Sequence, residues 1–168
     1  MSPEVALRRI AVEEYLATSF EDGDREYVDG VVVERNMGEK DHSRLQRRLI
    51  VLLDKIADVY CFPEQRVQVK ANRFRVPDVC ACVGVEPEEQ VFTTPPFLAI
   101  EILSRTDRAS DVEEKIDDYL SFGVPFVWVI DPRLKLGYVY TSGGRETCSD
   151  SLSTVGPEIR VRLADLFA

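Results

Sequence analysis

Three features of the sequence predict a mixed α/β (α+β) fold, a β-sheet core flanked by helices. Apolar, β-rich runs crowd the middle of the chain, and amphipathic helical stretches stand on either side of them. The segment between "FLAIEILS" (97–104) and "VPFVWVID" (124–131) is one helix long, as a right-handed parallel crossover between neighbouring strands requires.

The elements follow in order. Val5, Leu7, Val12 and Leu16 repeat at helical spacing and predict a first helix over 4–17. "REYVDGVVVERN" is a hairpin signal, because Asp29-Gly30 between two β-rich runs favours a tight primed turn. In "DHSRLQRRLIVLLDKIADVY", Leu45, Leu49, Leu52, Leu53 and Ile56 form one apolar stripe of a long helix, beginning near His42. "EQRVQVK" and "FRVPDVCACVG" read as strands separated by the polar "ANR", and 86–96 is a loop rich in Glu and Pro. "FLAIEILS" is apolar on both faces, so it is a central strand covered on both sides. Ser110 with Glu113 fits a capping box opening a helix that stops at Gly123. "VPFVWVID" is a second buried strand, Asp131-Pro132 turns it into "LGYVYTS", and "EIRVRLADLFA" adds a short strand and a final helical turn.

At 168 residues, with 45% hydrophobic and 30% charged content, the chain is expected to be one domain spanning 1–168 with its own core. No apolar run reaches the ~20 residues needed to span a bilayer. The first residues carry acidic side chains and lack a signal-peptide pattern, so a cytoplasmic location and no membrane partner are expected. Four cysteines do not make a disulfide framework in such a chain, and Cys80-x-Cys82 lacks a second Cys or His pair for a metal. Packing is the better reading of both.

The net charge of −9 argues mildly against non-specific nucleic-acid binding. Local distribution matters more than the sum, and residues 35–48 carry five basic side chains against two acidic ones. A solvated helix face accounts for that segment as well as phosphate contacts do.

The chemistry converges on Glu101. An unpaired ionised carboxylate in an apolar interior costs several kcal/mol, so a cation, a metal or a proton must answer it. Asp78 is the second carboxylate that interrupts a core strand; read alone, it is a turn or capping residue after Pro77. Lys115 falls at the edge of the buried face formed by Val112, Ile116, Tyr119 and Leu120, from where its amine could reach back over the preceding strand. A snorkelling lysine paired with Glu114 or Asp118 is the plainer account. His42, the only histidine, starts the buried stripe of the long helix, and no nucleophile-histidine-acid arrangement assembles around it. Two convergent carboxylates suit a hard divalent cation such as Mg²⁺, and a nearby lysine complements charge developing on a phosphate. A buried Glu101–Lys115 ion pair without metal is the alternative.

"VPDV", "FLAIEILS" and "DRASDVEEKIDDYLSFGVPFVWVIDP", in that order and spacing, resemble the Uma-type restriction endonuclease family of the PD-(D/E)xK nuclease superfamily. With the "REYVDGVVVERN" hairpin and the helix near His42, the resemblance runs over roughly residues 12–141. It implies a restriction-endonuclease-like fold and a nuclease acting on phosphodiesters, with DNA the substrate and Mg²⁺ or Mn²⁺ the cofactor. By the resemblance Asp78 and Glu101 are the acids holding metal, with Glu34 a third and Gln65 a weaker candidate. The superfamily's usual lysine position is Leu103 here, and Lys115 on the following helix matches the position of a migrated lysine. Arg35, His42, Arg44 and Arg48 are the candidate nucleic-acid contacts, and a homodimer would let two copies cut both strands of a duplex. A catalytically inactive nuclease-like module for binding or assembly is the competing reading.

Overall fold

The computed structural model describes residues 8–21, 24–35 and 38–168. The part of the expected first helix over 4–7 lies outside the described residues. Elements run α1 (Val12–Ala17), β1 (Glu26–Val28), β2 (Val31–Val33), α2 (Lys40–Leu53), β3 (Val59–Pro63), β4 (Val67–Lys70), β5 (Arg73–Arg75), β6 (Val79–Val83) and β7 (Leu98–Ile102). They continue with α3 (Ala109–Phe122), β8 (Phe126–Asp131), β9 (Leu136–Thr141), β10 (Gly144–Cys148), β11 (Ser151–Ser153), β12 (Arg160–Arg162) and α4 (Leu163–Phe167).

Among the described residues the strands form a six-stranded sheet ordered β10-β9-β8-β7-β6-β3, a four-stranded sheet ordered β2-β1-β5-β4, and the β11–β12 pair. β7 is central and all five of its residues are buried, as its two-faced apolar pattern predicts. β7 and β8 pair in parallel across α3, whereas the other ladders of the large sheet are antiparallel. One face of this sheet packs Leu45, Leu49 and Leu53 of α2 against Val79, Ile100, Trp128 and Ile130. The other face packs Ile116 and Tyr119 of α3, with Val67 and Val69 of β4, against Cys80, Ala99 and Val127. Cys80 is fully buried there and Cys82 packs at the edge of the same cluster.

The Asp29-Gly30 turn closes the first hairpin with φ of +51° and +93°, the paired left-handed conformation of a primed turn. Several expectations shift. The first helix starts only at Val12, because Ile10 N–H bonds the Gly30 carbonyl and Arg9 bridges Val31, which holds the preceding chain extended. The long helix ends at Leu53, and the apolar "VYCFP" is the edge strand β3. Apolar spacing alone cannot separate a short edge strand from a last helical turn, and Pro63 is tolerated at an edge. The capping box does not form: α3 begins at Ala109 behind Arg108, and no side chain caps it. Its far end stops at Gly123 in the left-handed region, as expected. β10 and β11 had no clear sequence signal. Where β11 crosses β9, a Cβ on Gly137 would lie 2.5 Å from Leu152 Cδ2, so only glycine permits that approach.

The most consequential difference is in "FRVPDVCACVG". It is two strands: β5 belongs to the small sheet and β6 to the large one. The break is Val76-Pro77-Asp78, where proline has no N–H to continue a ladder. Asp78 therefore stands at the junction of the two sheets.

Candidate active site

The β6–β7 register pairs Val79 with Ile100 and Cys80 with Ala99. Continued by one residue, it sets Asp78 opposite Glu101, the cross-strand relation that brings two side chains onto one face. Ile102 N–H donates to Asp78 Oδ2 at 2.7 Å, which fixes the carboxylate against β7. Asp78 Oδ1 accepts from Arg35 at 2.8 Å and lies 3.1 Å from His42 Nε2. Gln46 donates to the Asp78 carbonyl at 2.9 Å, so α2 grips both the backbone and the side chain of this residue.

Glu101 is 6% exposed. Its Oε1 accepts from the Tyr119 hydroxyl at 2.7 Å, and Lys115 Nζ lies 3.7 Å from Oε2. Both partners come from α3, the helix that crosses from β7 to β8. Lys115 Nζ also lies 3.5 Å from Glu26 Oε1. Leu103, which the resemblance makes the usual lysine position, packs against the α3-side core.

Burial pushes the Glu101 carboxyl up to about 7; Lys115 opposes the shift, and the charges of Asp78 and Glu26 add to it. Burial alone would raise Asp78 too, but His42, Arg35 and the Ile102 N–H outweigh it and hold the carboxyl below its usual value. The hydrogen bond to Asp78 raises His42. Burial would depress Lys115, yet Glu101 and Glu26 hold it above its usual value.

These shifts fix a pH dependence for the metal-free protein. Glu101 and His42 both bind a proton more tightly folded than unfolded, so the folded state holds more protons as pH rises through their range. Stability from these groups is full below their unfolded values and falls as pH climbs through the folded ones. Thermal melting in EDTA is expected to be higher at about pH 5 than at about pH 8, with Glu101→Gln flattening the difference. An equal rise with pH in both proteins would contradict the assignment.

Of the candidates named from sequence, the fold brings together Asp78, Glu101, Lys115, Arg35 and His42. Glu34 turns elsewhere: 78% exposed, it lies 3.4 Å from Arg25. Glu26 takes the place beside Lys115, because β1 is an inner strand of the small sheet whereas Glu34 follows the outer strand β2. Arg48 donates to the Leu166 carbonyl at 2.7 Å and so anchors α4. Arg44 lies exposed on α2, and Gln65 bonds the Gln90 and Arg66 carbonyls. Sequence reasoning missed Glu26 and Arg75. Their one signal is charge inside β-rich runs, and strand alternation with Tyr27 and Phe74 assigns both to a solvent face that the fold covers.

No group of three or more His, Cys, Asp or Glu side chains that could hold a metal ion occurs among the described residues. The donor chemistry of Asp78 and Glu101 nevertheless fits Mg²⁺, which is commonly held by one or two carboxylates together with waters and substrate oxygens. In the arrangement seen, the charges of these two carboxylates are answered by Arg35, His42 and Lys115.

A mixed sheet with a βαβ crossover, two acids opposed at its junction and a lysine on the crossover helix defines a restriction-endonuclease-like fold. A crystal structure described as a putative nuclease belonging to DUF820 from Anabaena variabilis superposes with a TM-score of 0.80. It is 23% identical, and the match covers 94% of this chain and 97% of that one. The chain belongs to the Uma2 family, described as putative restriction endonuclease, whose model matches residues 12–163. A search of curated proteins found no match. No helix among the described residues is long and apolar enough to cross a membrane.

Proposed function

We propose that this chain is a metal-dependent nuclease, one domain over 1–168, that hydrolyses phosphodiester bonds in DNA in the cytoplasm. The observation that carries the reading is the opposition of Asp78 and Glu101 at the junction of two sheets, with Lys115 Nζ 3.7 Å from Glu101. Asp78 and Glu101 would hold Mg²⁺ or Mn²⁺. When bound, such an ion lowers the pKa of a coordinated water and complements charge on a phosphate.

The chain's own residues do the rest. Tyr119 and the Ile102 N–H fix the two carboxylates, so neither has to reorganise when substrate arrives. Lys115 orients the attacking water from α3 and offers positive charge to the phosphoryl oxygens. Its displaced origin is no obstacle, since the chemistry needs an amine at a location and not at a sequence offset. Arg44, exposed on the helix that carries His42, is the simplest phosphate contact. Cutting both strands of a duplex would call for two copies of the chain.

Nicking of supercoiled plasmid in Mg²⁺ or Mn²⁺ tests the reading, with wild type compared with Asp78→Ala and Glu101→Ala. Metal-dependent nicking lost in both variants is the expected result. Activity that survives both substitutions comes from a contaminant and sinks the site. One observation favours a second reading, an inactive nuclease-like module: both acids are already paired with protein cations, in a chain of net charge −9. That reading predicts binding of a nucleic acid or protein partner with no cleavage under either metal.

A further inference from the structure

Lys115 stands between two acids at nearly equal distance, 3.5 Å from Glu26 and 3.7 Å from Glu101. Glu26 does not face it freely. Arg75 donates to Glu26 Oε2 at 3.0 Å, and Val76 N–H donates to Oε1 at 3.2 Å. Arg75 also donates from Nε to Asp118 Oδ2 at 2.7 Å, and its remaining terminal nitrogen lies 3.4 Å from Glu114 Oε2. Glu114 and Asp118 flank Lys115 on α3. The side chains of Arg75 and Glu26 are 4% and 1% exposed, so water screens their interaction little.

We propose that Arg75 is a positioning residue for Lys115, holding Glu26 with one arm and α3 with the others so that the amine stays shared between Glu26 and Glu101. Its consequence for catalysis rests on the nuclease reading; its geometry does not. Without Arg75, Lys115 is the side-chain cation that remains in ion-pair contact with buried Glu26 among the described residues, and the near-equal sharing tips toward that acid. The amine then retreats from Glu101 and from the place where a phosphate would sit. A displacement of about 1 Å is enough to cost on the order of 100-fold in rate.

The test uses Arg75→Met, Arg75→Lys and the double variant Arg75→Met/Glu26→Gln, each checked for folding by circular dichroism. The first readout is acetylation of Lys115 by an amine-reactive ester in metal-free protein, measured by peptide mass spectrometry against exposed Lys55. Arg75→Met is expected to label several-fold more slowly at Lys115, and the double variant to return to the wild-type rate. The second readout is plasmid nicking, where kcat falls about 10- to 100-fold in Arg75→Met with KM unchanged. Arg75→Lys keeps the charge but cannot bridge Glu26 and Asp118, so it falls between the two; it carries the comparison if the methionine variant does not fold. Unchanged Lys115 labelling in a folded Arg75 variant overturns the proposal. So does slow labelling that Glu26→Gln fails to relieve. A wild type that never nicks DNA overturns the nuclease reading instead, and the labelling still decides the role of Arg75.

Discussion

Lys115→Met is expected to lower metal-dependent nicking by about 100- to 1,000-fold, the scale of removing one preorganised electrostatic donor from a catalytic site. Methionine keeps most of the aliphatic stem and deletes only the charge, so the packing beside Ile116 and Tyr119 is preserved. The substitution also leaves Glu101 and Glu26 without their shared cation, and the melting temperature should fall with activity. A second substitution separates the two effects. Adding Glu101→Gln removes the buried carboxylate that Lys115 answered, Glu26 keeping Arg75, and should recover part of the melting temperature, but it cannot recover nicking. If Lys115→Met cuts at the wild-type rate, Lys115 is a structural partner of Glu101 and nothing more.

The second large effect is on stability. Asp118→Ala is expected to cost about 1–3 kcal/mol, because it removes the charge-assisted hydrogen bonds of two arginines and leaves the buried Arg75 Nε without its acceptor, while Glu26 and Glu114 still answer the Arg75 charge. Asp118 is 3% exposed and accepts from Arg75 Nε at 2.7 Å and from Arg73 at 2.9 Å. Its neighbour Asp117 is exposed, and Asp117→Ala should stay within about 0.5 kcal/mol of wild type. Urea denaturation midpoints for the two variants measure the contrast. Equal midpoints would mean that the arginine cluster relaxes around the loss and that its buried geometry contributes little.

Much of the site could be read along the chain because each strand reports its own burial. "FLAIEILS" announces a core carboxylate by placing Glu101 where every neighbour is apolar, whereas the break of "FRVPDVCACVG" at Pro77 comes only from the structure. Lys115 could be picked out because helical periodicity put it at the edge of a buried face. Glu26 could not be found this way. It alternates with Tyr27, and in a strand with one wet face it would point to water; here α3 covers that face. Arg75 is hidden for the same reason, and Glu34, which the family resemblance implies as a third ligand, lies exposed beside Arg25 instead. Arg48, chosen with Arg44 from one charged run, was separated from it by a contact 118 residues away in sequence.

The sequence by itself determined the class of fold, the central strand, the parallel crossover and three of the residues proposed for chemistry. Those depend on local periodicity and on the cost of burying charge, and both are written in short stretches of chain. Only the tertiary structure decided which acid stands next to Lys115, which arginines hold the site together and which stay exposed. Ion pairing depends on where side-chain ends meet in space, and strands from two sheets and a crossover helix converge here from positions far apart in the chain.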